Sequence, residues 1–264
     1  NKSYKVIVVG DNDWMYRSHT DFIQDVGLEK KGIIGLKRLT RALEKKGVTL
    51  VVAYPPIRGI VAGSHLPSEL PHGAEFDPAQ ATEAYQGLAS KMREEGVRFV
   101  TVPNFAKDDG FFRKTDQHWN VSGARQMAEE VAKYAKTLKV YQDLKKTEFE
   151  TTKSEIYDFQ GMFSKFVEQF CGESLRNEQE QGFQTSVKAG GDDLENALLG
   201  DAPVPEVVLV GTSNSKAELF DTNFDGALKE FLSVDVLNAA FPGAGIDEPM
   251  FAYLNSEHFK KTPP

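Results

Sequence analysis

Glu206-Val207-Val208-Leu209-Val210-Gly211-Thr212-Ser213 is the stretch on which the reading of this chain turns. Four apolar residues in a row read as a strand, and Gly-x-Ser follows at once. In open α/β folds the functional loops lie at the carboxyl ends of parallel strands, so the Ser213 hydroxyl stands where such folds do chemistry. The amide of such a serine can also face a developing oxyanion. Glycine, threonine and serine equally favour plain turns, and the motif alone is weak.

Moving outward, strand-like and helix-like segments alternate. Downstream come a helix near 225–232, a strand over 234–238 and a last helix over about 248–257. Upstream, residues 5–9 form an apolar run ended by the turn Gly10-Asp11-Asn12-Asp13, with a short return strand at Trp14-Met15-Tyr16. Ile33, Leu36, Leu39 and Leu43 share one face of a helix that Gly47 stops. A strand over 49–54 ends at Pro55-Pro56, and the next helix starts with Asp77-Pro78, an N-cap followed by a first-turn proline. A strand over 97–102 and a helix over 122–138, capped by Asn120 or Ser122, complete the first half. Helices between strands predict an α/β fold, a parallel sheet flanked by helices.

Residues 141–202 interrupt that alternation. An amphipathic stretch over 162–170, a polar run over 176–181 and the loop Gly190-Gly191-Asp192-Asp193 read as a helical insertion in one catalytic domain spanning 1–264. The chain starts at Asn1 without an initiator methionine and stops at Pro263-Pro264. A removed leader or trimming is expected before it, and a continuation after it.

Composition narrows the function classes. With 40% hydrophobic and 27% charged residues in 264, this is an ordinary globular composition, and no apolar run is long enough for a membrane span. A net charge of −8 argues against nucleic acid as a partner, since phosphates need a basic face. Cys171 is the single cysteine. A small buried hydrophobe is the expected role, with a disulfide partner outside the chain as the sharper reading and a catalytic thiol the least supported.

The second chemical motif is Thr115-Asp116-Gln117-His118-Trp119. Side chains at i and i+2 diverge in a helix or a strand, so a loop must hold Asp116 and His118. There the carboxylate can take one imidazole N–H while the other nitrogen serves a hydroxyl. Trp119 can bury the pair. A solvated turn with a local Asp cap is the competing reading. His19, His65, His72 and His258 are scattered singly, so no metal site is expected, and no cofactor. Gly243, in the glycine-rich loop after Asn238, is a candidate second oxyanion donor. Arg58, after Tyr54-Pro55-Pro56-Ile57, can hold a carboxylate bidentately at a strand end beside Tyr54, against the alternative of a solvated surface arginine.

Thr115 to Trp119, Val210-Gly211-Thr212-Ser213, and Val236-Leu237-Asn238 with Phe241-x-Gly243 together resemble the SGNH-like alginate O-acetyltransferases of the AlgX/AlgJ type. Trp14-Met15-Tyr16-Arg17 and the stretch 54–59 look closer to AlgX. The resemblance runs over most of the chain. It implies an SGNH-hydrolase-like fold with a circularly permuted motif order, Asp and His preceding Ser. It implies Ser213 as nucleophile, His118 as base, Asp116 as its orienting acid, and a periplasmic enzyme that acetylates mannuronate residues of alginate. Partners would be an anionic, alginate-like exopolysaccharide, an unidentified acetyl donor and other proteins of a secretion complex. A carbohydrate-binding domain of the AlgX kind is not expected within these 264 residues. The alternatives are an esterase that removes acetyl groups, because the same triad serves water, and a non-catalytic polysaccharide-binding scaffold.

Overall fold

Short strands alternate with helices along the computed structural model, which describes residues 7–70, 75–188, 204–216, 224–243, 245 and 247–264. They fall into two compact units interleaved in sequence: Asn1–Ala42, Leu50–Met127 and Tyr157–Glu180 form one, and Leu43–Thr49, Ala128–Ile156 and Gln181–Pro264 the other.

In the first unit, β1 (Ile7–Val9) pairs antiparallel with β2 (Met15–Arg17), as the turn at Gly10 to Asp13 predicts. Asn12 and Asp13 take positive φ values there, 55° and 65°, which their short polar side chains tolerate. Helix α1 (Lys30–Glu44) turns Ile33 and Leu36 onto a core of Leu88, Ala89, Met92, Val97 and Phe99. Strand β3 (Val52–Ala53) runs parallel to β4 (Phe99–Val100). Between them lie the short α2 (Arg58–Val61) and α3 (Pro78–Glu94). Asp77 caps α3 as its sequence predicts, accepting from the amides of Ala79 at 2.8 Å and Gln80 at 3.3 Å. Helix α4 (Val121–Ala135) is capped by Asn120, whose Oδ1 accepts from Gly123 N–H at 2.9 Å.

A short α5 (Lys139–Asp143) leads into the region expected to be helical. It carries one helix, α6 (Met162–Cys171), between two long strands that pair with each other, β5 (Phe149–Phe159) and β6 (Glu178–Val187). The expected helix is present; the strands correct the purely helical reading. Thr151, Thr152, Ile156 and the aromatics Phe149, Tyr157 and Phe159 favour a pleated chain, but polar residues on both faces hide the alternation. The loop expected at Gly190 to Asp193, and His72, lie outside the described residues.

In the second unit β7 (Val207–Leu209) and β8 (Val236–Asn238) pair in parallel, Leu209 opposite Asn238, with α7 (Phe224–Leu232) between them. The last expected helix is two, α8 (Asp247–Asn255) and α9 (Glu257–Lys261), because Ser256 breaks the first and caps the second through Phe259 N–H at 3.1 Å. Among the described residues no helix is long and apolar enough to cross a membrane.

Candidate active site

The Asp116–His118 loop is closed at its base by an antiparallel bridge between Phe112 and Trp119, with Asn120 N–H donating to the Phe111 carbonyl at 3.0 Å. The bridge turns the chain back on itself and lets an i, i+2 pair converge. Asp116 Oδ1 accepts from His118 Nδ1 at 2.5 Å and from His118 N–H at 2.9 Å. Its Oδ2 accepts from Met162 N–H, at the start of α6, at 2.8 Å. Burial opposes ionisation of this carboxyl, yet the hydrogen bond and charge of His118, with the amides of Met162 and His118, hold its pKa well below the usual carboxylate range. An ionised, doubly anchored carboxylate on Nδ1 fixes the imidazole tautomer with Nδ1 protonated. Trp119 is buried beside this pair in sequence, and its backbone closes the loop.

Arg58 departs from both expectations. It is neither a surface arginine nor a carboxylate clamp for substrate: it is 1% exposed and all five of its N–H groups are spent on backbone carbonyls. Nε and Nη2 donate to Met15, Nη1 to Arg113 and Asp116, and Nη2 also to Lys114, at 2.7–3.1 Å. The rings of Trp14, Tyr16, Phe112 and Phe163 surround the guanidinium at 5.1–5.9 Å. Burial lowers its pKa and buried Asp21, 3.8 Å away, opposes the drop. Arg58 therefore supports the Asp116 loop from beneath and has no N–H left for a ligand. Tyr54, the other residue of that stretch, packs on Phe99 at 5.5 Å within the α1–α3 core, and its carbonyl accepts from the Tyr85 hydroxyl. Burial raises its hydroxyl pKa, and its place is in the core.

Ser213 and Gly243 belong to the second unit. The Ser213 turn follows β7 directly, and Ser215 N–H donates to the Thr212 carbonyl at 2.9 Å. Gly211 has no room for a side chain, since a Cβ there would collide with Ser215. Asn238, at the end of β8, ties two loops together. Its Nδ2 donates to the Ser215 carbonyl at 2.9 Å and its Oδ1 accepts from Ala240 N–H at 3.0 Å. Phe241 N–H reaches the Gly211 carbonyl at 2.9 Å, so the glycine loop and the serine turn are joined by backbone. Gly243 is exposed with φ of 81°, a conformation that favours glycine.

Sequence reasoning passed over Asn238 as a holder of the serine turn, and it passed over Gly161, Met162, Glu178 and Glu180. The only local signal for the last two was the alternation Glu178-Gln179-Glu180-Gln181, which puts both glutamates on one face of a strand. Cys171 is also corrected: it is exposed, because α6 is buried only in its first turns and every residue from Glu168 to Ser174 is exposed. No group of three or more His, Cys, Asp or Glu side chains that could hold a metal ion occurs among the described residues.

A model of the SGNH hydrolase-like domain of the acetyltransferase AlgX matches residues 7–264. The chain belongs to this AlgX acetyltransferase family. It is 34% identical to the alginate biosynthesis protein AlgX of Pseudomonas aeruginosa over 98% of its own length and 54% of that protein's. It is 30% identical to the probable alginate O-acetylase AlgJ of the same organism, over 98% of this chain and 67% of AlgJ. The chain thus spans about half the length of the AlgX relatives it matches. The fold agrees. The structure of P. aeruginosa AlgX superimposes with a TM-score of 0.83 at 31% identity, covering 99% of this chain and 60% of the other. The O-acetyltransferase domain of Pseudomonas putida AlgJ gives 0.71 at 24% identity, covering 98% and 87%. The fold is accordingly SGNH hydrolase-like, as the motifs of the AlgX family imply.

Proposed function

We propose that this chain transfers acetyl groups to hydroxyls of an anionic exopolysaccharide, mannuronate residues of alginate above all, through an acetyl-serine at Ser213. The observation that carries the reading is the Asp116–His118 pair, a buried carboxylate 2.5 Å from the imidazole Nδ1 on a loop closed by a β-bridge. In this reading both units make one catalytic domain. His118 takes the Ser213 proton through Nε2 as Oγ attacks the donor's acetyl carbonyl. Asp116 stabilises the imidazolium, and the amides of Ser213 and Gly243 take the oxyanion. Collapse expels the donor's leaving group, protonated by His118, and leaves the acetyl-serine. A sugar hydroxyl, deprotonated by His118, then attacks that ester and releases Ser213 with its proton restored. The relatives' names support alginate as the polymer class, and a periplasmic setting with other proteins of a secretion complex belongs to the same proposal.

Mass spectrometry of mannuronate oligomers incubated with the protein and a chromogenic acetyl ester tests this. Acetylated oligomers from wild type and none from Ser213→Ala are expected. Free acetate alone at saturating oligomer would replace the transferase with an esterase. Binding of oligomer without either product would leave a polysaccharide-binding scaffold.

A further inference from the structure

The loop that carries Asp116 and His118 has little regular structure, yet the segment 161–180 engages its polar groups one after another. Glu178 Oε2 accepts from Lys114 N–H at 2.9 Å, and Oε1 accepts from Thr115 N–H at 2.7 Å and from the Thr115 hydroxyl at 2.5 Å. Glu180 accepts from Arg113 Nε and, on its other oxygen, from Val121 N–H, both at 2.6 Å. Phe163 N–H donates to the Thr115 carbonyl at 2.9 Å, beside the Met162 bond to Asp116. Gly161 must lack a side chain, because a Cβ would strike the Thr115 carbonyl and hydroxyl.

Two consecutive amides converging on one carboxylate form an anion-binding concavity, here filled by the chain's own Glu178. That carboxylate fixes the direction in which the chain enters Asp116. Glu180 fixes the point where the loop leaves into α4, and its charge also suits a helix N-terminus. Arg58 holds the carbonyls of the same loop from the other side of its backbone chemistry, so carbonyls are met by a cation and amides by two anions.

We propose that Glu178 and Glu180 are positioning residues for the Asp116–His118 pair. The α6–β6 segment is then part of the catalytic frame. The proposal rests on the triad reading for its catalytic consequence. Its physical basis is charge and valence. A glutamine at 178 has one acceptor oxygen and an NH₂ that would face a backbone donor, leaving a buried N–H without an acceptor. The loop would shift to relieve that clash, and a displacement of about 1 Å in a catalytic group can cost roughly 100-fold in rate.

The test uses the full chain and two near-isosteric variants, Glu178→Gln and Thr115→Val, the second removing only the hydroxyl donation. Steady-state acetyl-ester turnover is measured, together with the proton NMR resonance of His118 Nδ1–H. For Glu178→Gln, kcat should fall roughly 10- to 100-fold with KM nearly unchanged, and the low-field Nδ1–H signal should shift or broaden. Thr115→Val should move both readouts in the same direction by less, and it decides the matter if Glu178→Gln does not fold. Unchanged kcat and resonance in a folded variant, or a rise in KM at constant kcat, overturns the proposal. If the wild type itself turns over no acetyl ester, the functional reading fails, while the resonance comparison still decides whether Glu178 positions the pair.

Discussion

The guanidinium of Arg58 donates to the backbone carbonyl of Asp116 at 2.7 Å, so the residue that holds the imidazole is itself held from behind by a buried cation. The contact links a residue at the start of α2 to a loop 58 positions later. Because Arg58 meets four different carbonyl-bearing residues, its loss would leave those buried carbonyls without their donors and free the loop.

Arg58→Lys should therefore behave as a severe change. A lysine keeps the charge but has three donors on one nitrogen and cannot span the carbonyls the planar fork reaches. Destabilisation of about 3 kcal/mol is expected from denaturant unfolding, within the range for breaking a buried charged network. A variant within about 0.5 kcal/mol of wild type would refute the role assigned to Arg58.

Asp116→Asn preserves shape but lets the side-chain amide donate to the imidazole and so favours the wrong tautomer. Turnover of an acetyl ester should drop on the order of 10⁴-fold, as in serine triads generally. Ser213→Ala should be at least as damaging, and the double variant little worse than Ser213→Ala, since triad members act as a unit. A folded Asp116→Asn variant with near wild-type kcat would remove Asp116 from the mechanism as the orienting acid.

The depressed pKa of Asp116 also makes a stability prediction. A carboxyl whose folded pKa lies below its unfolded value, about 3.9, stabilises the protein fully above that value. The contribution shrinks as pH falls through the unfolded pKa towards the folded one. The difference in unfolding free energy between wild type and Asp116→Asn should be flat from about pH 7 to pH 5 and decline below about pH 4. A gap that widens on acidification contradicts an ionised, hydrogen-bonded Asp116.

Asn238→Ala removes both bonds that join the Ser215 carbonyl to the start of the glycine loop. Half-buried side-chain hydrogen bonds of this kind are worth about 1 kcal/mol each, so a loss of roughly 1–2 kcal/mol is expected by thermal or urea unfolding. Acetyl-ester turnover should fall with it, because the serine turn loses its tie. Wild-type turnover in Asn238→Ala would show that the turn is set by backbone alone.

Cys171, exposed on α6, should react stoichiometrically with a thiol-specific chromogenic reagent in the native protein. Cys171→Ser should change stability by less than about 0.5 kcal/mol and leave turnover intact. Slow labelling that requires denaturant would return the residue to the buried role its apolar neighbours predict.

What the sequence by itself determined is what short range can carry. The run Val207 to Val210 before Gly211-Thr212-Ser213, the capped start at Asp77-Pro78, the helical stripe from Ile33, and an Asp-x-His motif that only a loop can fold together all stand in the structure as read. Each rests on periodicity or on a side chain meeting backbone a few residues away. Only the tertiary structure decided that Arg58 is buried under the loop and that Glu178 and Glu180 grip its amides. It likewise decided that α6 offers Met162 to Asp116 and exposes Cys171. Those bonds join residues 58, 63 and 46 positions apart, and no local pattern encodes the partner of a charged side chain at such distances. A lone Arg or Glu reads as a solvated residue until the fold removes the water and supplies the carbonyls or amides that replace it.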